Sequence, residues 1–155
     1  MAVEVCFTPQ APCASRILRE IARARSEILV AVYALTSEEL AWVLVKAARR
    51  GVQVRVVLDR DVDREQPASQ GNFLQRHGVA VRRVAGLPSP RSAGSQGRMH
   101  QKFAVLDRQV VLTGSYNWTL AAERLNDENL LIFRDAGPLA AEYRREFFRL
   151  WRKGE

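Results

Sequence analysis

The stretch MHQKFAVLDRQVVLTGSYNWT, residues 99–119, predicts two neighbouring strands of a sheet. Apolar residues interspersed with polar ones indicate strands over 99–106 and 110–113. Side chains on a strand alternate between its two faces, so His100 and Lys102 should point in the same direction. The polar turn that follows the second strand lies where binding and catalytic residues are commonly found.

The same stretch contains the pattern His-x-Lys-x4-Asp, formed by His100, Lys102 and Asp107, followed by a Gly-Ser-x-Asn segment with Ser115 and Asn117. These residues offer a nucleophile or base, a cation that neutralises phosphate, and polar groups that hold it. Only three of the 24 basic residues are lysines, so the lysine in the motif indicates a need for a compact ammonium group, with chance placement as the alternative. Asp107 belongs to the motif but is predicted to brace the turn rather than to react.

Outside this stretch, segments with strand and helix patterns alternate along the chain. Further strands are predicted near 3–7, 28–34, 52–58, 79–84 and 129–133, and helices near 13–25, 37–50, 68–77, 119–123 and 138–152. This order predicts an α/β fold: one layered domain over residues 1–155, with a central mixed β-sheet flanked by helices. A chain of 155 residues suits one domain with a sizeable core.

Two polar segments, 59–67 and 85–98, are predicted to be loops. The second is rich in glycine, proline and serine, has no acidic residue, and leads directly into the strand that carries the motif. It contains Arg91 and Arg98, which we list as candidate substrate-binding residues. Either this loop is a mobile wall of a substrate groove that contacts phosphates through arginine, or it is a solvated surface connection.

Several conspicuous residues outside the motif are predicted to be structural. His77 precedes a glycine where a helix should end, and a histidine is favoured there by the helix dipole. Trp42 and Trp151 lie in the apolar stripes of helices and are predicted to belong to the core. Cys6 and Cys13 could form a disulfide, but two thiols in a small cytosolic domain are more often free.

The chain resembles the phospholipase D superfamily, specifically its small branch with one His-Lys-Asp motif per chain. Residues 33–59 look like the strand-helix-strand unit of that family, GSYNWT like its second signature, NDENLLI like the next segment, and EYRREFFRLW like its last helix. The branch includes bacterial endonucleases of about this length and the animal mitochondrial cardiolipin hydrolase and Zucchini-type proteins. The resemblance implies a phospholipase D-like fold. The animal proteins also have an anchor and a zinc-binding insertion that this chain lacks, which argues against an outer-mitochondrial function.

The resemblance also implies a mechanism and an assembly. Cleavage of a phosphodiester through a covalent intermediate needs a nucleophile on one side of phosphorus and an acid on the other. One chain supplies one suitable histidine, His100, because His77 has no lysine and asparagine near it. A symmetric homodimer would bring two motifs together, and the family resemblance implies the same arrangement. A phosphohistidine would form on one subunit while the other protonates the leaving group.

The remaining site residues follow from the same comparison. Lys102, Asn117 and Ser115 should hold the phosphate oxygens. Glu128 matches a family carboxylate that orients the nucleophilic histidine, although an exposed acid at the start of a strand is the alternative. No metal and no other cofactor is predicted, because protein side chains supply the cations.

Composition bears on the substrate. A net charge of +7 and a pI of about 10.2 favour a polyanion, and five arginines were placed on or near the sheet that carries the site: Arg55, Arg82, Arg83, Arg91 and Arg98. We therefore predict a nuclease of low sequence specificity for DNA and/or RNA; the alternative is that an arginine-rich chain is basic everywhere.

Two other functions stay open on sequence alone. A phospholipid hydrolase acting on a lipid such as cardiolipin would need a membrane-docking surface, and none stands out in the sequence. A non-catalytic nucleic-acid-binding module is disfavoured because every signature residue is present. The N-terminal residues have neither a basic start nor a long apolar run, which predicts a cytoplasmic protein without stable membrane insertion.

Overall fold

The computed structural model describes residues 1–155 and contains eight strands and six helices. The strands are β1 (Ala2–Thr8), β2 (Glu27–Val32), β3 (Gln53–Asp59), β4 (Ala80–Pro88), β5 (Gln96–Arg98), β6 (Lys102–Leu106), β7 (Val110–Gly114) and β8 (Glu128–Arg134). The helices are α1 (Cys13–Arg23), α2 (Glu38–Arg49), α3 (Arg60–Glu65), α4 (Gly71–Arg76), α5 (Leu120–Arg124) and α6 (Gly137–Lys153).

All eight strands form one mixed sheet in the order β1-β8-β7-β6-β2-β3-β4-β5. Strands β2, β3 and β4 are parallel, whereas the other neighbours are antiparallel. Every residue of β2 is buried, as its continuous apolar sequence predicts for a central strand. The predicted α/β fold with a central mixed sheet is confirmed.

Helices cover both faces of the sheet. The larger core cluster lies on the side of α1 and α2, where Ile17 and Leu44 pack with Val30. The second cluster lies under α6, where Phe147 packs with Phe103. The 17-residue α6 is therefore held by its apolar stripe on one side and exposes Arg145, Arg152 and Lys153 to solvent.

The antiparallel pairing of β2 with β6 separates the sheet into two ends. Val32 pairs with Lys102, so the last residue of β2 lies beside the first residue of β6; we call this the motif end. At the opposite end, Ile28 pairs with Leu106, and the turn from β6 to β7 follows. We call this the turn end. The motif is therefore split, because His100 lies at one end and Asp107 lies at the other.

The strand boundaries near the motif differ from the prediction. Strand β6 begins at Lys102 and not at residue 99, so His100 lies in the segment before the strand. Met99 is instead fixed by a backbone hydrogen bond, in which its N–H donates to Asp59 Oδ1 at 2.9 Å. This contact with the side chain at the end of β3 fixes the segment before β6, and an apolar-polar pattern cannot reveal it.

Both segments predicted to be loops contain regular structure, so those predictions were wrong. Residues 60–65 form α3, because the Asp59 side chain accepts a hydrogen bond from Val62 N–H at 3.1 Å and caps the helix. In 85–98, β4 continues to Pro88 and pairs with β5 as a hairpin. Glycine is required there by close approach, since a Cβ on Gly86 would lie 2.4 Å from the carbonyl carbon of Gly97.

The prediction that Trp42 is a core residue was wrong, whereas His77 has the predicted structural role. The Trp42 side chain is 38% exposed, with the Arg49 guanidinium 5.0 Å from its ring centroid. It lies on the flank of α2, where it contacts Phe73 and His77 of the α4 region. His77 Nδ1 lies 2.9 Å from the carbonyl oxygen of Phe73 at the end of α4. Trp151 packs, partly buried, against the core under α6.

Cys6 and Cys13 form a disulfide, contrary to the expectation of free thiols. Both side chains are buried, and the bond joins β1 to the first residue of α1 with the two Cα atoms 5.8 Å apart. Disulfides persist in oxidising compartments and are rare in the cytosol, so this pair argues against the predicted cytoplasmic location. None of the six helices has the length and apolar character that crossing a membrane demands.

Candidate active site

His100 and Lys102 lie together at the motif end of the sheet. The Lys102 Nζ atom is 2.9 Å from His100 Nδ1 and donates to the His100 carbonyl oxygen at 2.8 Å. The ring of Tyr33, just beyond β2, lies 4.6 Å from the imidazole centroid and 5.6 Å from Lys102 Nζ. The aromatic ring thus supports both residues from one side, while the His100 side chain remains open to solvent on the other.

This environment favours the neutral imidazole. Partial burial and then the nearby Lys102 ammonium lower the pKa of His100 below its usual 6.5, whereas Asp59 acts in the opposite direction. The pKa of Lys102 is also lowered by burial, although the Glu128 carboxylate partly offsets this effect. At neutral pH His100 is therefore mainly uncharged, which is the state that a nucleophile needs.

The end of β7 brings Ser115 to the same place. Gly114, the last residue of β7, has φ +147°, and a Cβ there would lie 2.2 Å from the carbonyl oxygen of Asn129. Only glycine permits this close approach to β8. Ser115 Oγ then donates to Glu128 Oε1 at 2.7 Å and accepts from Asn129 N–H at 3.0 Å.

Asn117 lies in the segment after β7 and is fixed by a hydrogen bond to the chain just beyond the end of β2. Its Oδ1 atom accepts a hydrogen bond from Ala34 N–H at 3.3 Å, and Leu35 forms an isolated β-bridge with Trp118. With Oδ1 engaged, the Nδ2 group remains a donor without a protein partner. Four sequence-predicted residues, His100, Lys102, Ser115 and Asn117, therefore come from strands that end or begin at the motif end.

Glu128 contacts Ser115 rather than His100 within one chain. It begins β8, which is separated from β6 by β7, and its Oε2 atom also accepts from Asn126 Nδ2 at 3.4 Å. Its carboxylate is close enough to influence Lys102. That Glu128 orients His100 stays a prediction, and what the structure supports directly is that it orients Ser115.

Comparison with known proteins identifies the family. A family model described as "Cardiolipin synthase, PLD-like domain" matches residues 17–151. The chain belongs to the phospholipase D superfamily. The resemblance drawn from the sequence and the phospholipase D-like fold are both confirmed.

Two relatives of this chain within the superfamily are named as different proteins. A Xenopus laevis protein named mitochondrial cardiolipin hydrolase is 42% identical over 88% of this chain and 60% of its own length. A Rickettsia felis protein named phospholipase D is 36% identical over 86% of this chain and 62% of its own. The chain thus spans about three-fifths of the length of these relatives.

Two solved structures cover almost the whole chain. Nuc from Salmonella typhimurium, a phospholipase D family member, aligns with a TM-score of 0.89 and 28% identity, over 99% of this chain and 96% of that one. NucT from Helicobacter pylori aligns with a TM-score of 0.92 over 99% of this chain and 97% of that one. At 22% identity the second likeness concerns the fold alone.

The third residue of the superfamily motif, Asp107, lies at the turn end, far from His100. Its carboxylate accepts the backbone N–H groups of Arg25, Ser26 and Glu27 at 2.8–3.0 Å, and the Ser26 hydroxyl at 2.9 Å. Burial alone would raise the pKa of Asp107, but these hydrogen bonds lower it below its usual value. Asp107 therefore has a bracing role, but it braces the entry to β2 and not, as the sequence predicted, the turn after its own strand.

Replacing Asp107 by asparagine should destabilise the fold without changing catalysis. The amide turns an NH2 group towards backbone donors, which should lower the free energy of unfolding by about 1–3 kcal/mol at pH 7. Since the carboxyl pKa is lowered in the folded state, the loss should shrink as the pH falls below about 4. Urea unfolding at pH 7 and below about pH 4 measures the change in stability, and kcat/KM on a small phosphodiester measures whether catalysis is unchanged.

Asp135 provides the matched control for this substitution. It is exposed and has φ +51°, the same left-handed conformation as Asp107, but accepts no hydrogen bond from the protein. Asp135→Asn should leave stability unchanged. A loss of turnover in Asp107→Asn at full folding would instead give Asp107 a catalytic role.

The two candidate substrate-binding arginines differ in their surroundings. Arg98 lies close to the site but is held by carboxylates, with Nη1 3.4 Å from Asp61 Oδ2 and 3.7 Å from Asp59 Oδ2. Arg91 is exposed near the tip of the β4–β5 hairpin and forms no ion pair. Arg91 is thus the freer of the two to contact phosphate.

The other arginines on which the prediction of a polyanionic substrate was based make contacts within the protein. The Arg82 guanidinium donates to the Trp151 carbonyl oxygen at 2.7 Å. Arg83 donates to Asp63 at 2.6 Å, and Arg55 lies 5.8 Å from the ring centroid of Phe148. Their position on the sheet therefore does not place them in the site.

Sequence reasoning did not identify Tyr33, Asp59 or Gln101. Asp59 is the last residue of a parallel strand, at the end of the sheet where ligands of α/β proteins usually bind, and this position was a usable signal. Gln101 links the site to α6 through a 2.7 Å hydrogen bond to Glu146 Oε1. No group of three or more histidine, cysteine, aspartate or glutamate side chains is arranged to hold a metal ion.

Proposed function

We propose that this domain is a metal-independent phosphodiesterase, and specifically an endonuclease of low sequence specificity that cleaves DNA and/or RNA at a homodimer interface. The observation that carries the proposal is the geometry of the motif end. A neutral histidine, a lysine ammonium and the free amide of Asn117 converge there on an open surface. This set can bind a phosphodiester and attack it, but it contains one histidine where the chemistry needs two.

The first step forms a phosphohistidine. His100 of one subunit attacks phosphorus, so that a P–N bond forms as the bond to the leaving oxygen breaks. The protonated His100 of the second subunit gives its proton to that oxygen. Lys102 and Asn117 donate to the non-bridging oxygens, where negative charge develops. The Ser115 hydroxyl, which donates to Glu128 Oε1 in the free protein, would turn its hydrogen to a non-bridging oxygen of the bound phosphate.

The second step releases the product. The second His100, now neutral, takes a proton from water, and the hydroxide attacks phosphorus as the P–N bond breaks. Two identical residues thus act in different protonation states, and the pair titrates as a unit. The rate should therefore pass through a maximum with pH, and the lowered pKa of His100 should move the acid limb of this profile towards lower pH.

A phospholipid hydrolase is the second candidate, and one structural observation favours it. Val3, Val5 and Phe7 on β1 are 48–57% exposed and form an apolar strip that was not anticipated from the sequence. Phe7 lines a cavity together with Glu128, so the strip reaches the motif end. Together with a relative named cardiolipin hydrolase, this strip offers a place for a lipid tail. The net charge of +7 is compatible with either anionic substrate.

The deciding experiment compares four substrates in excess EDTA: single-stranded DNA, duplex DNA, RNA and cardiolipin vesicles. We expect the wild type to cleave a nucleic acid, and His100→Ala to cleave nothing. Turnover of cardiolipin alone would overturn the nuclease in favour of the lipid hydrolase. In that case Val5→Thr with Phe7→Thr should reduce lipid turnover while leaving a small chromogenic phosphodiester unaffected.

A further inference from the structure

A cavity lined mainly by arginines lies away from His100 and Lys102. It has a volume of about 550 Å³ and is formed by one side of α6 and the turn between β6 and β7. Four of its seven lining residues are arginines, namely Arg108, Arg144, Arg145 and Arg152, and none is acidic. We call it the arginine pocket. Its position at the turn end separates it from Lys102 by roughly the length of the five-residue strand β6, about 15 Å.

The arginine pocket has more cations than the fold uses. Arg144 binds the buried Glu27 through two hydrogen bonds of 2.9 and 3.1 Å, which accounts for its position. Arg145 pairs with the exposed Glu142 on the helix surface. Arg108, however, comes only within 3.8 Å of Glu27, and Arg152 has no acidic partner. Two guanidinium groups at the pocket are therefore without a strong ion pair.

The backbone of Arg108 supports a role for its side chain. Asp107 and Arg108 have φ +51° and +58° in a two-residue turn closed by a hydrogen bond from Gln109 N–H to the Leu106 carbonyl oxygen. Such turns strongly favour glycine or asparagine at these positions, and an arginine there costs about 1 kcal/mol or more. The Asp107 side chain compensates by bracing β2. Arg108 makes no comparable contact, so no interaction within the fold offsets the energetic cost of its left-handed backbone conformation.

The side chains that line the arginine pocket indicate which class of ligand it would bind. Guanidinium groups bind phosphate through paired N–H donors, and several of them in a row match a chain of phosphates. Arg144, Phe148 and Arg152 follow one another at i, i+4 and i+8 on one side of α6. The Arg144 guanidinium lies 4.9 Å from the ring centroid of Phe148, so cations and a partly exposed aromatic ring line the pocket together. Four arginines against two hydrophobic residues, Ala141 and Phe148, favour a polyanion over an apolar ligand.

We propose that the arginine pocket is a second phosphate-binding site, which holds the sugar-phosphate backbone of a nucleic-acid strand at a distance from the bond being cleaved. This inference rests on the proposed nuclease function, because it assigns the same substrate to a second surface. The second site should affect the binding of long strands and not that of small substrates. Long strands reach from the motif end to the pocket and gain affinity, whereas a small phosphodiester occupies the motif end alone.

The test uses a variant that removes two cations without harming the fold. Arg108→Gly suits the left-handed turn better than arginine does and should hold or raise the melting temperature. It is combined with Arg152→Gln on the exposed end of α6. The matched control, Arg23→Gln with Arg76→Gln, removes two exposed arginines from α1 and α4, which cover the opposite face of the sheet.

Binding is measured by fluorescence anisotropy on a single strand of about 40 nucleotides, which is several times longer than the span of about 15 Å along β6. His100→Ala is added to every protein so that nothing is cleaved. Removing two phosphate contacts should weaken binding about 10- to 30-fold at 0.1 M salt and reduce the slope of log K against log salt by about 1.4. The control variant should retain its affinity. Turnover of a small chromogenic phosphodiester, measured with His100 intact, should be the same for all proteins.

Each other outcome contradicts the proposal in its own way. An equal loss of affinity in both double variants would mean that only total charge matters. Unchanged DNA binding with lost binding to cardiolipin vesicles would assign the pocket to a membrane. Failure of the proposed nuclease function is distinguishable, because the protein with His100 intact would then not cleave the nucleic-acid strand, whereas the binding comparison between the two double variants would still give its result.

Discussion

Replacing His100 by alanine should reduce phosphodiester cleavage by at least about 10⁴-fold, because the variant has no nucleophile on phosphorus. The stronger result concerns mixtures. If each site needs His100 from two subunits, a ninefold excess of His100→Ala subunits over wild type leaves about one-tenth of the wild-type chains in all-wild-type dimers. Activity at constant wild-type concentration should fall accordingly, to about one-tenth. The measurement is the initial rate after the subunits have exchanged.

The other histidine of the chain provides the control. His77 lies at the end of α4, with Nδ1 2.9 Å from the Phe73 carbonyl oxygen, and takes no part in the proposed reaction. An excess of His77→Ala should therefore add activity instead of suppressing it. If excess His100→Ala leaves the wild-type rate unchanged although tagged subunits have exchanged, the two-subunit site is wrong and one chain must catalyse alone.

Replacing Lys102 by methionine should lower kcat about 10²- to 10³-fold, the usual loss when one donor to a developing oxyanion is removed. Arginine should restore little of this, since a planar guanidinium is larger than the ammonium whose Nζ lies 2.9 Å from His100 Nδ1. The substitution should also change the pH profile. Lys102 contributes to the lowered pKa of His100, so in Lys102→Met this pKa rises and the acid limb moves to higher pH.

The direction of this shift is what separates a local electrostatic role from general damage. The neutral nucleophile is lost as the pH falls through the pKa of His100, so a higher pKa means that activity is lost earlier on acidification. Lys46→Met, on the exposed side of α2, removes the same charge elsewhere and should alter neither kcat nor the profile. Full activity in Lys102→Arg, or an acid limb that does not move in Lys102→Met, would contradict the assigned role.

Local patterns in the sequence were sufficient for the architecture. The apolar run of β2 and the stripe of α6 follow from side-chain periodicity, and both elements lie within a few residues of their predicted bounds. The segment from Arg60 to Glu65 was mistaken for a loop because its residues are polar on all sides. This helix depends on its N-cap, in which the Asp59 side chain accepts a hydrogen bond from Val62 N–H, and the amino-acid composition of the segment does not reveal that contact.

The motif likewise identified His100, Lys102, Ser115 and Asn117 from spacing alone, because these residues are close in sequence and in space. Their surroundings were not accessible in the same way. Tyr33 comes to the imidazole through the pairing of β2 with β6, and strand order is not encoded in the pattern of any single strand.

The sequence by itself determined the fold class, the family and the candidate site residues, since each rests on residue types at short, fixed spacings. The tertiary structure alone decided that Asp107 braces β2 across 81 residues of sequence from Ser26, that Cys6 pairs with Cys13, and that Arg108 meets the arginines of α6. The physical reason is that hydrogen bonds, ion pairs and cavities depend on distance in space. Strand pairing sets that distance, and the order of the strands in the sheet is a property of the whole chain.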